Sequence, residues 1–239
     1  MSLPGVLHMK LLFQPAAPVI VPTATGEGFP VRRIFCIGRN YEEHAKEMGM
    51  QADPEAPFFF TKWADTVVGD GTTIAYPQGT ANFHYEAELV VAIGKGGRNI
   101  PREVALDNVW GYATGLDMTR RDLQTEARGK GRPWDAGKNV EQSSPLGLIH
   151  PASVLGDASK GAISLTVNGE VKQRGDLADL ITPVDRLIEF LSGLYTLEAG
   201  DLIYTGTPAG VGAVVPGDIM VVAVDGLSSL TITVGPPAE

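Results

Sequence analysis

Residues 83–93 read FHYEAELVVAI, and this stretch decides how the fold is interpreted. Alternate residues of a β-strand lie on the same face. One face of the stretch is therefore apolar throughout, whereas the other carries Glu86 and Glu88 and turns apolar at Val90. A strand that is apolar on both faces at one end is buried there. The sequence therefore predicts an interior strand that holds two carboxylates about 7 Å apart along the backbone.

The bulk composition is that of a globular protein. The chain has 239 residues, of which 44% are hydrophobic and 20% charged, and its formal net charge is −9. The negative charge argues against non-specific binding of nucleic acid, and no apolar run is long enough to span a bilayer. The single cysteine, Cys36, allows no intrachain disulfide and favours a reducing compartment. We therefore expect a cytoplasmic protein with no nucleic-acid or membrane partner.

The N-terminal part is expected to form a small segment of its own. Residues 1–8 read MSLPGVLH and resemble a cloning remnant or an alternative start. Prolines recur through residues 9–33, a pattern that favours edge strands and loops. We predict an N-terminal segment over residues 1–31 and one domain over residues 32–239.

A short helix is predicted within RNYEEHAKEMG, residues 39–49. Asn40 is a typical cap residue, Glu43 lies at the capping-box position, and Gly49 ends the helix. Thr119 and Asp122 form a second capping pair, at the start of a helix that follows the strand VWGYATGLDMT.

The rest of the chain is rich in predicted strands. FFFTKW at residues 58–63 is interpreted as a buried strand, and DLIYTG, IMVVAV and LTITV as three more. Asn168-Gly169 suits the type I′ turn of a hairpin. Pro183 begins the clearest amphipathic helix, over residues 183–195, whose buried stripe is Val184, Leu187, Ile188, Leu191 and Tyr195. Many strands with few helices indicate a β-rich α+β fold.

Glu86, Glu88 and Asp117 are candidate metal ligands. An E-x-E pair on a solvent-facing edge strand is the common alternative, but the flanking LVVAIG favours an interior strand. Two buried like charges raise each other's pKa unless a cation lies between them. Asp117 ends the next apolar strand, and a helix cap is its alternative role. Carboxylate oxygens favour Mg²⁺, with Mn²⁺ or Ca²⁺ as substitutes.

Three further features suggest chemistry, each with a simpler alternative. His44 and Glu47 lie three residues apart on one helix face, where an acid can orient an imidazole, although surface pairs share this spacing. Lys138 in DAGKNVEQ is either a site residue or an ordinary solvated lysine. TGTPAGVG at residues 205–212 lacks the Gly-Lys-Ser/Thr of a phosphate loop. We expect it to present backbone N–H groups and the Thr207 hydroxyl to a carboxylate.

Five stretches, CIGRNYEEHAKEMG, HYEAELVVAIG, GYATGLDMTRRDLQ, RPWDAGKN and TGTPAGVG, together resemble the fumarylacetoacetate hydrolase family. The resemblance runs in order over about residues 32–234. FPVRRIFCIGRNYEEHAKEMG, APFFFTK and GLDMTRRD are most similar to the bacterial members that cleave fumarylpyruvate in gentisate breakdown.

The resemblance implies a mixed β-sandwich roll, a homodimer and Mg²⁺-dependent cleavage of a carbon–carbon bond. It makes Glu86, Glu88 and Asp117 the metal ligands, and His44 and Glu47 a water-activating pair on a lid that closes over the substrate. Lys138 would stabilise the pyruvate enolate that forms when water attacks C4 of an acylpyruvate. The implied substrate contacts are Arg121, Gln124 and Thr207.

Rival reactions fit the same motifs. Related sequences decarboxylate oxaloacetate or isomerise 2-hydroxyhepta-2,4-diene-1,7-dioate, and a non-catalytic metal-binding module is an alternative of another class. The pair of His44 and Glu47 favours hydrolysis because it supplies a base for water. Many relatives carry aspartate where this chain has Glu141, which leaves the role of that position open. We further expect residues 40–60 to be less ordered than the strands without ligand.

Overall fold

The computed structural model describes residues 10–49, 57–156 and 158–237. The N-terminal stretch 1–8, and the part of the predicted lid at residues 50–56, lie outside the described residues. The helices α1 to α5 are Glu42–Glu47, Arg121–Gly129, Asp135–Lys138, Ala152–Leu155 and Val184–Leu194. Short 3-10 helices are Ala64–Thr66, Arg102–Asn108 and Leu177–Asp179. The strands β1 to β18 are Ile20–Pro22, Gly28–Pro30, Arg33–Gly38, Phe58–Lys62, Val67–Val68, Thr73–Tyr76, Phe83–Tyr85, Ala87–Ile93, Val109–Leu116, Thr119–Arg120, Ser144–Pro145, His150–Pro151, Ala162–Val167, Glu170–Asp176, Asp201–Tyr204, Gly212–Val214, Ile219–Val224 and Leu230–Pro237.

Two large sheets pack face to face. One has six strands in the order β12-β9-β8-β15-β3-β4, and the other has five in the order β14-β13-β17-β18-β6. Both are mixed, because β15 runs parallel to β3 and β18 runs parallel to β6. The main core lies between them and joins Leu89 and Val91 of the first sheet to Ile163, Leu165 and Val222 of the second. The predicted β-rich sandwich of the α+β class is confirmed.

The stretch at 83–93 behaves as its alternation predicts. Leu89 and Val91 face the main core, whereas Val90 and Ala92 belong to a second core on the opposite face of the six-stranded sheet. Every residue of β8 is buried. The strand is interrupted at Glu86, where the chain leaves β7, in a separate three-stranded sheet, and enters β8. The interior strand is therefore confirmed, and the interruption lies at the first carboxylate.

Two local predictions at turns and helix ends are confirmed. Asn168 and Gly169 have φ values of 52° and 82° and connect β13 to β14 as a hairpin. Helix α5 begins directly after Pro183, and four of its five predicted apolar positions are buried. Tyr195 is the exception. It follows the helix in an extended conformation and is 39% exposed.

FFFTKW forms a strand as predicted, but the prediction that this strand is buried is wrong. Among the residues that the structure describes, β4 pairs with β3 alone, so it forms an edge of the six-stranded sheet. Only Lys62 of its five residues is buried. The run of three phenylalanines instead supplies aromatic contacts, among them Phe58 and Phe60 against Trp134 and Phe59 against Phe190.

Both predicted helix caps are wrong. Tyr41, not Asn40, precedes α1, and no side chain within the described ranges caps that helix. The Asn40 amide is buried and donates to the carbonyls of Thr182 (3.0 Å) and Thr205 (2.8 Å), while its oxygen accepts from the Thr182 N–H (2.7 Å). Gly49 does follow the end of α1, with φ of 67°. Asn40 thus ties the loop before α1 to two distant segments.

At α2 the two supposed capping residues have other partners. The Thr119 hydroxyl donates to the Asp117 carbonyl at 3.0 Å, and Asp122 accepts from the Thr80 hydroxyl at 2.6 Å and the Ala81 N–H at 3.0 Å. The residue before α2 is Arg120, whose side chain does not cap the helix. No helix among the described residues is long and apolar enough to cross a membrane.

Candidate active site and metal centre

Three buried carboxylates meet where β8 begins and β9 ends. Glu86 and Glu88 lie on either side of Ala87, the first residue of β8, and Asp117 follows Leu116, the last residue of β9. Ala87 pairs with Leu116, and the Asp117 N–H donates to the Glu86 carbonyl at 2.9 Å. One carboxylate oxygen of each acid lies within 4.8 Å of the other two, and none of the three residues is more than 5% exposed.

Lys138 lies among these carboxylates, so the alternative of a solvated lysine is wrong. Its Nζ donates to Glu86 at 2.7 Å, to Asp117 at 2.7 Å and to the Thr119 hydroxyl at 2.8 Å. The amine also lies 5.0 Å from the centre of the Phe60 ring. Lys138 is the last residue of the short helix α3, so this helix contributes a cation to the site.

Two more cations complete the charge balance of the cluster. Lys62, from the end of β4, donates to Asp117 at 2.8 Å, and the guanidinium of Arg121 donates to Glu86. Three carboxylates therefore lie among three cations. Lys62 was not predicted from the sequence, where its only signal is a lysine at the end of an otherwise apolar run.

The environment gives the two glutamates opposite pKa shifts. Burial raises the pKa of Glu88, and the neighbouring charges of Asp117 and Glu86 raise it further. For Glu86 burial acts in the same direction, but Lys138 and Arg121 together hold its pKa well below the usual range. Glu88 accepts a hydrogen bond from the Gly206 N–H at 2.7 Å, and no lysine or arginine of the described residues forms an ion pair with it.

His44 of α1 lines the cavity that holds the three carboxylates, and Glu47 contacts it from the same helix. His44 is only 8% exposed, whereas Glu47 is exposed, so the pair reaches from the cavity to the surface. Its Nδ1 lies 3.2 Å from a Glu47 carboxylate oxygen, which also accepts from the Gly210 N–H at 3.2 Å. Because a carboxylate only accepts, Nδ1 carries the proton and Nε2 is the basic nitrogen.

The predicted substrate contacts converge on this cavity as well. Arg121 and Gln124 are buried on α2, and the Arg121 guanidinium donates to the Gln124 side-chain oxygen. Both line the cavity together with Thr207. Glu141 is exposed and does not line it.

Gln173, which sequence analysis did not select, orients the Thr207 hydroxyl. Its side-chain oxygen accepts from the Ala87 N–H at 3.0 Å, and its Nε2 donates to the Pro208 carbonyl at 2.7 Å and to the Thr207 hydroxyl at 2.8 Å. The Ala87 N–H can only donate and the Pro208 carbonyl can only accept, so the amide orientation is determined. The Thr207 oxygen therefore accepts from Gln173, and its own proton is free to be donated to an acceptor in the cavity.

A comparison with protein families determines the family of this chain. The family described as "Fumarylacetoacetate (FAA) hydrolase C-terminal" matches residues 33–235. The chain belongs to the fumarylacetoacetate hydrolase family. The resemblance of the five sequence stretches is thereby confirmed, and with it the fold class.

Individual members of the fumarylacetoacetate hydrolase family are similar over most of their length. A fumarylpyruvate hydrolase from Ralstonia sp is 50% identical over 191 residues, which are 79% of this chain and 99% of that protein. A mitochondrial oxaloacetate decarboxylase from Dictyostelium discoideum is 40% identical over 199 residues, 83% of this chain and 91% of that protein. The crystal structure of fumarylpyruvate hydrolase from Pseudomonas aeruginosa in complex with Mn²⁺ and pyruvate has a TM-score of 0.91 at 51% identity, and covers 95% of this chain and 100% of that one.

The carboxylate cluster fits the divalent metal expected from the fumarylacetoacetate hydrolase family. Three carboxylates offer oxygen ligands within 4.8 Å of one another, which is the ligand type that Mg²⁺ and Mn²⁺ prefer. The raised pKa of Glu88 marks a buried carboxylate without sufficient positive charge nearby. A divalent cation held by Glu86, Glu88 and Asp117 would supply that charge. The assignment of these ligands remains a prediction, as does the ordering of a lid over residues 40–60.

Proposed function

We propose that this chain is a Mg²⁺-dependent hydrolase that cleaves the C3–C4 bond of an acylpyruvate. We propose fumarylpyruvate as its substrate, with fumarate and pyruvate as products in the breakdown of aromatic compounds. The proposal rests on one observation above all: a histidine held by a glutamate lines the same cavity as the three buried carboxylates. The similarity to fumarylpyruvate hydrolases at 50% and 51% identity supports it.

The charges of the site suit a substrate with two negative charges. Glu86, Glu88 and Asp117 are balanced by Lys62, Lys138 and Arg121 in direct contact or close by. A bound divalent cation would leave the cluster with an excess of about two positive charges, by charge counting alone. Fumarylpyruvate is a dianion and would offset this excess, although Arg39 and Arg128 add further positive charge to the cavity.

Thr207 and Gln124 would orient the pyruvate end of the substrate. The Thr207 hydroxyl can donate to a carboxylate oxygen, because Gln173 already donates to the Thr207 oxygen. The Gln124 amide lines the cavity beside Arg121, which holds its oxygen and leaves its N–H groups for the ligand. These two residues therefore present donors to an anion.

The reaction would begin at His44. Its Nε2 accepts a proton from water, and the resulting hydroxide adds to the C4 carbonyl carbon. The C3–C4 bond then breaks, its electron pair remains on C3, and the enolate of pyruvate and a new carboxylic acid result. The acid loses its proton to solvent and becomes fumarate. The His44 proton is then available to C3, which completes pyruvate. Glu47 keeps the imidazole in the required tautomer and stabilises it when it is charged.

Lys138 would stabilise the negative charge that develops on the enolate. Its amine is buried, and although burial lowers its pKa, Asp117 and Glu86 raise the pKa above the ordinary value. The amine therefore stays charged at neutral pH, and a fixed cation in a buried site stabilises a developing anion strongly. A divalent cation bound by the three carboxylates would act as a Lewis acid on the 2-oxo group.

We propose Mg²⁺ as the resident metal, with Mn²⁺ or Ca²⁺ as substitutes, in keeping with the Mn²⁺ complex of the Pseudomonas aeruginosa protein. We also propose that the chain acts in the cytoplasm as a homodimer. In this proposal residues 32–239 form the catalytic domain, and residues 1–31 form a small N-terminal segment.

Decarboxylation of oxaloacetate is the second candidate. A relative with that name is 40% identical to the chain, and the reaction passes through the same pyruvate enolate. It needs the metal and Lys138 but no attacking water, so it would leave the pair of His44 and Glu47 without a role. This difference favours hydrolysis over decarboxylation, and over a non-catalytic metal-binding module.

Release of pyruvate from a small substrate panel tests the proposal. The purified protein with Mg²⁺ is given fumarylpyruvate, acetylpyruvate and oxaloacetate, and pyruvate is measured through lactate dehydrogenase. We expect fumarylpyruvate to be cleaved fastest and a chelator to abolish the reaction. Consumption of oxaloacetate without cleavage of either acylpyruvate would overturn the proposal in favour of decarboxylation.

A further inference from the structure

Arg39 lies in an unusual backbone conformation between two firmly held neighbours. Its φ is 61°, in the left-handed region that residues other than glycine rarely adopt. Gly38 before it ends β3, and Asn40 after it is fixed by the buried hydrogen bonds to Thr182 and Thr205. Such conformations persist where the surrounding structure enforces them, and they are concentrated at functional sites.

Among the described residues, the Arg39 side chain has no polar partner. Its Nε–H is buried and has no hydrogen-bond partner among the residues that the structure describes. The guanidinium lies 5.3 Å from the centre of the Phe58 ring, an aromatic face that can hold its plane in position. Lys138 and Arg121, by contrast, are paired with the carboxylates of the cluster. Arg39 therefore retains donors for a ligand.

Arg39 lines the active-site cavity and is not one of the cations that pair with the carboxylate cluster. It shares that cavity with His44 and Met48, and it also lines a neighbouring cavity formed with Phe58, Ile181 and other residues. The boundary between the two cavities is thus formed in part by its side chain. In the proposed reaction the acyl chain beyond C4 would lie in this cavity, where Arg39 is a cation that pairs with no carboxylate of the described residues.

The geometry points to Arg39 as the residue that binds the distal carboxylate of the substrate and so selects acylpyruvates with a charged acyl group. This inference rests on the proposed function. A guanidinium presents a planar fork of N–H donors that matches a carboxylate, and an aromatic ring beneath it leaves the edge of the fork available. The distal carboxylate would supply the guanidinium with an acceptor that the described residues do not provide.

Two substrates that differ at the distal group separate selectivity from catalysis. Fumarylpyruvate carries the distal carboxylate, whereas acetylpyruvate ends in a methyl group. Asparagine tolerates the left-handed conformation, so Arg39→Asn removes the charge without adding backbone strain. We expect kcat/KM for fumarylpyruvate to fall about 10²-fold, as when one partner of a buried charge pair is truncated, and kcat/KM for acetylpyruvate to change less than about three-fold.

Three controls accompany this measurement. Arg39→Lys keeps the charge without the fork and should lie between the wild type and Arg39→Asn with fumarylpyruvate. Arg98→Asn removes an exposed arginine that does not line the cavity and should change neither rate. Arg39→Gly, which suits the backbone, serves if Arg39→Asn does not fold. Fumarate should inhibit acetylpyruvate cleavage by the wild type, and about 10²-fold more weakly in Arg39→Asn.

The outcomes distinguish the two proposals. An equal loss with both substrates, or no loss with either, overturns the assignment of Arg39 while the proposed function stands. A wild-type protein that cleaves neither acylpyruvate overturns the proposed function itself, and the assignment of Arg39 with it.

Discussion

Replacing Lys62 by methionine tests how the buried charges of the cluster are balanced. The Lys62 amine is buried and donates to Asp117 at 2.8 Å, to the Ser143 carbonyl at 2.6 Å and to the Met118 carbonyl at 3.2 Å. Methionine fills a similar volume but leaves these three acceptors without the donor. Removal of one partner of a buried ion pair costs about 3–5 kcal/mol. We expect the metal-free variant to lose this much free energy of unfolding, which corresponds to a fall of roughly 6–20 °C in Tm for a chain of this size.

Metal should recover part of that loss. Without Lys62 the three carboxylates face only Lys138 and Arg121, so the cluster attracts a divalent cation more strongly. A ligand that binds the folded state more tightly stabilises it more. Thermal unfolding is measured with chelator and with excess Mn²⁺, for Lys62→Met, the wild type and a control, Lys95→Met, which alters an exposed lysine. If Lys62→Met unfolds like the control in chelator, or if Mn²⁺ raises its Tm no more than that of the wild type, Lys62 does not balance the buried charge of the cluster.

Three further predictions concern residues around the site. Asn40→Asp keeps a good cap residue, but the free energy of unfolding should fall by at least about 2 kcal/mol, because two buried carbonyls lose their donor. An unchanged urea midpoint would instead support a capping role for Asn40. Thr207→Val should weaken oxalate binding, measured by calorimetry, about ten-fold or more, whereas Thr207→Ser should not. Equal affinities of Thr207→Val and the wild type for oxalate would refute a donor role for the hydroxyl. Although burial raises the pKa of Asp122, hydrogen bonds from the Thr80 hydroxyl and the Ala81 N–H hold it below the ordinary value. Its contribution to stability is therefore present above about pH 4 and lost as pH falls through the lowered pKa. The difference in urea midpoint between the wild type and Asp122→Asn should shrink between about pH 5 and about pH 3, and a constant difference would be contrary to this account.

The carboxylate cluster was predictable because strand geometry connects sequence spacing to space directly. Glu86 and Glu88 lie two residues apart and so share a face, and Val90 and Ala92 on that face indicate burial. Asp117 follows the next long apolar strand, so antiparallel pairing of the two strands brings it to the same end. The two-residue alternation of a strand and the antiparallel pairing of β8 with β9 were sufficient to predict this part of the site.

The errors arise where a residue's partners are distant in the chain. Asn40 has the composition of a helix cap, but it is bonded to residues 142 and 165 positions away. Lys62 was missed because its partners, Asp117 and Ser143, lie 55 and 81 positions away. Local patterns carry no information about such contacts. The run FFFTKW was misjudged for a related reason, since apolar residues on an edge strand can pack against aromatic side chains from elsewhere instead of a second strand.

The central claim, that His44 activates water for hydrolysis, is tested most directly by comparing two reactions of His44→Ala. Acylpyruvate hydrolysis and oxaloacetate decarboxylation are measured in the wild type and the variant, with oxalate binding as the control for an intact metal site. Loss of a general base costs about 10²–10⁴-fold in rate, so hydrolysis should fall by this factor. Decarboxylation needs no attacking water and should fall much less, and oxalate affinity should be retained. Hydrolysis that survives within a few-fold of the wild type would contradict the assignment of His44 as the base.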